Sequence, residues 1–308
     1  MPQRHTYSEN LYSLFYSVRR QLSEVTAGFW TDLEVYRALN NAQLHIARKS
    51  KCLRKEINIT TVASQAEYDL KTQAVNPNST VFGYPEVFDI SADGAYFYVG
   101  GTTYQKLYFK SKKTLNIEFP GWQGVAASVP KYFYYEKTDN IVGLYPKPNS
   151  TNAGSYLFLD TYYLPKVLHA GTAASGTDTT MVMAAGSTTA MYPSALNDYY
   201  NNIFLEIYEA TGAGERAQIT DYVASSRTLT VDFTTTPDST SVFGMVPEIA
   251  EEAHQLMELY ALWKLWGKGG SRKTLANDFR SEYFQGLTEF AGDYMEEDDE
   301  DIIQESYR

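Results

Sequence analysis

Cysteine, basic charge and long apolar runs are all scarce in this chain. The single cysteine, Cys52, excludes an internal disulfide. Beside Lys51 and Arg54, where a helix is expected to end, it reads as an unreactive or surface thiol. No apolar run approaches the roughly 20 residues needed to cross a bilayer, and the polar start Met1 to Asn10 lacks a signal peptide's apolar core. Both features predict a protein that is intracellular when made and has no membrane partner. Lys and Arg number 26 against 37 Asp and Glu, a net charge of -11. That balance excludes a surface whose main work is to grip phosphate backbones. Part of the acidity is local, since Glu296 to Asp301 reads EEDDED. The four histidines, His5, His45, His169 and His254, show no metal-ligand spacing. No serine sits in a nucleophile elbow, and no carboxylate pair is singled out as acid and base. The sequence therefore predicts no catalytic residue, no cofactor and no metal site.

What the chain has in plenty is tyrosine, 26 residues in a composition that is 44% hydrophobic and 20% charged. That is the balance of a soluble globule. Tyrosine packs with its ring and hydrogen-bonds with its tip, which suits interfaces. A chain of 308 residues buries about three quarters of its unfolded surface, enough for one large domain or two modest ones.

Helical periodicity is confined to the two ends. Leu11, Leu14, Phe15, Val18, Leu22 and Val25 fall on one face, with Arg19, Arg20 and Gln21 off it and Gly28 as the stop. Thr31-Asp32-Leu33-Glu34 is a capping box for a second helix whose stripe is Val35, Leu39, Ala42 and Ile46. Arg48, Lys49 and Lys51 complement its negative end. Near the C-terminus Pro247 is expected to open a third helix, with Ile249, Ala253, Leu256, Tyr260 and Trp263 on its face. Gly267, Gly269 and Gly270 stop it. Ser271 then caps a fourth, carrying Leu275, Phe279, Tyr283, Leu287 and Phe290. Neither pair buries enough to stand alone, so the two ends are expected to share one core.

Between them the period drops to two. Strands are predicted at 67–70, 96–99, 106–109, 115–119, 131–136, 141–145 and 156–163. Residues 169–189 read as a linker or loops rich in Gly, Ala, Ser and Thr. A second β segment holds strands at 204–208, 217–222, 228–233 and 241–245. Gly212-Ala213-Gly214-Glu215-Arg216-Ala217 fits the loose dinucleotide fingerprint. Gln218 to Tyr222 reads as a strand and not as the helix that fingerprint needs, so a hairpin turn is the better reading.

Several stretches resemble tailed-phage head-to-tail adaptor proteins. One is Trp30-Thr31-Asp32-Leu33-Glu34-Val35-Tyr36-Arg37-Ala38-Leu39-Asn40-Asn41-Ala42-Gln43 followed by His45-Ile46-Ala47. A second runs from Val129-Pro130-Lys131-Tyr132-Phe133-Tyr134 through Leu144-Tyr145-Pro146-Lys147-Pro148 to Tyr162-Tyr163-Leu164-Pro165. A third is Val246-Pro247-Glu248-Ile249 with the helix carrying Tyr260 to Trp263. The segment from Gly212 to Ser241 resembles a small β module inserted in some members.

The resemblance implies a non-enzymatic virion protein at the head–tail interface. It implies a dodecameric ring bound to the portal protein, with DNA passing through its channel unbound and a face for tail nozzle or fibre proteins. It also implies that the C-terminus reaches the portal, with Ile302, Ile303, Tyr307 and Arg308 as the contacts, against the reading of this tail as a solvated acidic appendage. The inserted module either docks fibre or nozzle proteins, through Arg216, Asp221, Tyr222 and Arg227, or covers a neighbouring subunit. Alternatives are a tail-tube or fibre-junction component, or an enzyme with an unrecognised site in the β middle. The expected fold class is α+β. N- and C-terminal helices form a bundle with an antiparallel β region and a further small β module inserted. The expected divisions are a helical hairpin (1–56), a β region (57–173), the module (174–246), the closing helices (247–295) and an acidic tail (296–308).

Overall fold

Asn10 starts the first helix, α1 (Leu11–Gln21), by accepting from the Tyr12 and Ser13 amides at 3.0 Å each, the role of a short polar side chain at a helix N-cap. The computed structural model describes residues 10–24, 26–70, 86–100, 103–152, 154–186, 191–268 and 273–305. Val25, Gly269, Gly270 and Ser271, expected above as helix signals, lie outside the described residues. Two compact units make up the chain: Met1–Cys52 with Pro165–Arg308, and Leu53–Leu164. Helix and strand are present in near-equal share, an α+β protein.

In the first unit the apolar stripe of α1 is buried as expected, but the helix ends at Gln21 with Leu22 as its C-cap, well before Gly28. Arg19 also departs from expectation. It is 0% exposed, donating to the Trp30 carbonyl at 2.7 Å and pairing with Asp32 and, at 3.8 Å, with Glu24. The capping box at Thr31 is present and opens α2 (Asp32–Ser50), which ends with Lys51 in the left-handed region.

Pro247 does not open the third helix. The Glu248 carboxylate accepts from the Lys166 amide at 2.7 Å, holding the segment as a strap. The helical chain starts only with a 3-10 turn at Glu251–Ala253 and α4 (His254–Lys268). A short helix in the second unit, α3 (Lys112–Glu118), intervenes in chain order. The last helix is α5 (Lys273–Glu305). α4 packs against α2 and α5, and α1 against α2 and α4. Trp30 joins the two ends of the chain: its indole donates to the Leu265 carbonyl at 2.9 Å and meets the Trp266 ring edge-on at 4.9 Å. Where α5 approaches α4, a Cβ on Gly286 would stand 2.7 Å from Leu256 Cδ2.

Among its described residues the same unit contains seven strands: β9 (Ala170–Gly176), β10 (Thr180–Met183), β11 (Phe204–Glu209), β12 (Arg216–Gln218), β13 (Asp221–Val223), β14 (Thr228–Thr230) and β15 (Val242–Met245). Their order is β12-β11-β15-β9-β10-β14-β13. The outermost strands, β12 and β13, are consecutive in the chain and separated only by Ile219 and Thr220, which span about 7 Å at most. Ile219 donates to Ile203 on one side, and Thr220 donates to Thr230 on the other. One bent segment thus supplies both end strands and draws the two ends of the sheet together into a barrel-like curl. Leu205, Ile207, Ala217, Ile219, Leu229, Phe243 and Met245 fill it.

α1 packs on β9 and β15 of this sheet, so residues 165–173 and the 174–246 module belong to the same unit as the helices. This differs from the division drawn at 57, 173 and 246. The stretch 169–189, too poor in large side chains to read as strand, supplies β9 and β10.

Among the described residues the second unit has two four-stranded sheets. β1 (Arg54–Thr60), β8 (Tyr156–Leu164), β3 (Glu86–Gly100) and β4 (Thr103–Lys106) form one, in that order. The other is β2 (Glu67–Asp69), β7 (Ile141–Tyr145), β6 (Tyr132–Glu136) and β5 (Tyr108–Phe109). The apolar core runs through Ile57, Ile59, Tyr68, Phe97, Phe133, Val142, Leu144, Leu157 and Leu159. The strand expected at 115–119 is instead part of α3, started by Ser111, whose hydroxyl accepts from the Thr114 amide at 3.1 Å. The alternation Leu115, Ile117, Phe119 imitated a strand. Only Leu115 is buried, and Ile117 is exposed.

Candidate interaction surfaces

The glycine-rich segment Gly212 to Arg216 is the turn between β11 and β12. Gly212 and Gly214 adopt φ of 82° and 88°, conformations that glycine accepts without strain. The Gly214 amide donates back to the Ile207 carbonyl at 2.8 Å. The next element is strand β12 and not a helix, so the segment cannot present amides to a pyrophosphate.

The four residues expected to dock fibre or nozzle proteins are not alike. Arg216 is exposed and its guanidinium lies 4.8 Å from the Phe204 ring centroid. Asp221 is half-buried at the start of β13. Arg227, at φ 58°, donates from Nε to the Met183 carbonyl at 3.1 Å and so ties one loop to another. Tyr222 is 0% exposed. Its ring meets Tyr200 at 4.8 Å and its hydroxyl donates to the Ser194 carbonyl at 2.7 Å. Tyr222 therefore supports the barrel from inside and has no surface to offer; the alternating pattern placed it in a strand but did not say which side faced in. Of the expected portal contacts, Ile302 and Ile303 lie on α5, which runs through most of the segment read as an acidic tail. Tyr307 and Arg308 lie outside the described residues.

Sequence reasoning missed two surfaces. In the second unit, Tyr96, Tyr98, Tyr104, Tyr156 and Phe158 share the face of the β1-β8-β3-β4 sheet opposite Phe97, Leu157 and Leu159. The pairings Tyr96 with Phe158 and Tyr98 with Tyr104 set this arrangement. Tyr98 and Tyr104 rings are 5.4 Å apart, and Tyr104 and Phe158 rings 5.6 Å. Tyr96, Tyr104 and Tyr156 are 42%, 57% and 37% exposed. Both faces of these strands are aromatic or aliphatic, so hydropathy alternation could not reveal the outer one. A patch of this kind normally meets another molecule. In the second unit's other sheet, Glu67, Trp122, Tyr134, Tyr145 and Lys147 line a cavity of about 80 Å³, too small for a metabolite-sized ligand.

In the first unit, rings and cations gather where α2, α4 and α5 meet. His45 Nδ1 is 2.6 Å from the Tyr283 hydroxyl, and Tyr260, Trp263 and Phe284 surround the pair. Lys264 Nζ stands 3.7 Å from the Trp263 centroid and the Arg280 guanidinium 5.6 Å from it. Burial, then Lys49, Lys264 and Arg48, holds His45 below its usual pKa. Burial and then Arg280 lowers Lys264. Elsewhere, burial alone drives His169 down to about 4, and burial is the main cause of the same value at His254. Burial raises the Cys52 thiol, which leaves it a poor nucleophile at neutral pH.

Among the described residues no three His, Cys, Asp or Glu side chains stand close enough to hold a metal ion, and no helix is long and apolar enough to cross a membrane. The surfaces offer rings, charge and strand faces, the means of association. A family model described as SU10 adaptor protein matches residues 10–301. The chain belongs to the SU10 adaptor protein family. The matched span takes in both units, so the adaptor's sheets and all of its helices but the last turn of α5 lie inside the family pattern. Family membership makes it a phage structural adaptor, a protein that works by contact with other structural proteins. A search of curated proteins finds no match to it.

Proposed function

We propose that this adaptor sits at the head–tail interface of a tailed-phage virion, where copies close into a dodecameric ring on the portal protein, extend the DNA channel and dock tail nozzle or fibre proteins. The family match over residues 10–301 carries this reading. It is supported by the way the N-terminal and C-terminal segments fold into one unit. In this reading α1, α2, α4 and α5 act as a helical bundle. Ring closure needs two different lateral faces on each copy, and stiff helices hold such faces at a fixed angle. Arg216, Asp221 and Arg227 are candidate contacts for fibre or nozzle proteins, and Ile302, Ile303, Tyr307 and Arg308 for the portal. The protein acts by binding and not by catalysis. DNA passes without being held, a role supported by the net charge of -11.

Electron microscopy of the purified protein mixed with portal rings tests the reading. A second ring stacked on the portal is the expected result, and portal rings left bare contradict it. Deleting Glu300 to Arg308 is expected to weaken portal attachment while the monomer stays folded. Unchanged attachment removes the portal role from that segment.

A further inference from the structure

Four cations in the first unit lack a partner of opposite charge on their own helices. Arg48 and Lys49 close α2, Lys264 lies on α4 and Arg280 on α5. None of the four has Asp or Glu three or four residues away in either direction, the positions from which a helical neighbour can pair. Lys264 and Arg280 flank the half-buried Trp263, and Arg280 also lies 5.7 Å from the ring centroid of Phe284, itself exposed. Arg48 and Lys49 stand one turn beyond His45, the ring that meets Tyr260 and Phe284. Together they make a positive, ring-floored patch on a chain of net charge -11.

We propose that this patch receives the acidic block Glu296 to Asp301 of a second copy of the chain, a head-to-tail contact between neighbours. The inference rests on the self-association in the proposed function and names a pair of surfaces for it. Charge complementarity selects the occupant: EEDDED is the densest run of negative charge in the sequence. Geometry keeps the chain's own block away from Arg280. Arg280 and Glu296 lie on the same continuous helix, α5. Sixteen residues at 1.5 Å each set them about 24 Å apart, and a rigid helix cannot fold back on itself. Donor and acceptor are different surfaces, so the contact is heterologous and repeats from copy to copy, closing a ring where the rotation allows. The rings give the carboxylates' neighbours a low-dielectric floor and a cation–π hold on Lys264 and Arg280, which keeps both cations aimed outward. Exposed charges are screened over about 8 Å at physiological ionic strength, so the contact weakens with salt.

Sedimentation velocity of the full chain at low and high salt tests the proposal, with three variants. These are Lys264→Glu with Arg280→Glu, the six residues Glu296 to Asp301 all changed to Lys, and the two sets combined. Either set alone is expected to weaken self-association at least about tenfold at low salt, and the combined variant to regain most of it. Lys264→Gln with Arg280→Gln is a milder partner variant, and circular dichroism melting checks that each chain is folded.

A wild type that stays monomeric at low salt overturns the proposal. So does a single set that leaves association within about twofold, or a combined variant no better than either alone. If the patch variants lose salt-sensitive binding to duplex DNA while self-association is unchanged, the patch is a DNA contact and the proposal fails. Mixing the same chains with portal rings separates the two readings. Rings that form normally on the portal from patch-reversed chains leave the proposed function standing and remove this contact. Bare portals with the wild type remove the function, while sedimentation still decides the contact.

Discussion

The two units of this adaptor are held together by different means. In the unit formed by 1–52 and 165–308, segments far apart in sequence are joined by buried polar groups reaching backbone. Asn40 accepts from the Leu168 amide at 2.7 Å and donates to its carbonyl at 3.2 Å, and Gln43 donates to the Lys166 carbonyl at 2.7 Å. Arg19 does the same for the α1–α2 connection. The unit formed by 53–164 is one continuous stretch with an apolar core and holds thirteen of the 26 tyrosines but no histidine. A discontinuous unit needs specified contacts to fix which segments meet, whereas a continuous one can rely on pattern and ring packing. The cost is that the first unit is more exposed to single polar losses and to acid.

Removing Arg19 gives the largest expected effect of any single substitution. Arg19→Met leaves the Trp30 carbonyl and Asp32 without their partner and is expected to destabilise the first unit by about 4 kcal/mol. Urea unfolding in a Trp122→Phe background reads this cleanly, because the remaining indoles, Trp30, Trp263 and Trp266, all belong to that unit.

Acid is expected to act next. His169 and His254 are held at about 4 in the folded state against about 6.5 unfolded. Below 6.5 the unfolded chain binds protons that the folded chain refuses, so stability falls as pH drops and levels off near 4. The loss is at most about 3 kcal/mol per histidine. The second unit has no histidine and is expected to keep its stability across this window. Equal losses in both units would break the comparison.

Asn40→Ala is expected to cost the first unit about 2 kcal/mol by leaving buried backbone groups of Leu168 unpaired. In the second unit, Gly143→Ala would drive a Cβ into the Tyr134 ring, costing about 2 kcal/mol by overpacking. Urea unfolding followed by Trp122 fluorescence measures it. Smallest of all, Tyr104→Ser on the exposed aromatic face is expected to change stability by under about 0.5 kcal/mol. A larger loss would mean that face is core and not surface.

Much of the first unit's helical frame was legible. The stripe Val35, Leu39, Ala42, Ile46 and the Thr31 capping box appear as read, because both are local patterns fixed by helical geometry. What failed was decided by distant partners. Glu248 bonds Lys166 and not a helix terminus, Arg19 is drawn inside by the Trp30 carbonyl, and β9 and β10 become strands only because β15 and β14 pair with them. The curl of the seven-stranded sheet depends on a two-residue bend whose meaning appears only when both end strands are known. Site residues were less legible still. Tyr222 shares its type with the exposed tyrosines, and only the barrel's curvature turns it inward. The two cations beside Trp263, Lys264 and Arg280, come from different helices with no sequence signature in common.

Native-state hydrogen exchange under increasing urea tests the central claim, that the two ends of the chain fold as one body. Amides of α1, α2, α4 and the barrel strands are expected to share one opening free energy and one urea dependence. Amides of α1 and α2 that open separately from those of α4 would contradict it.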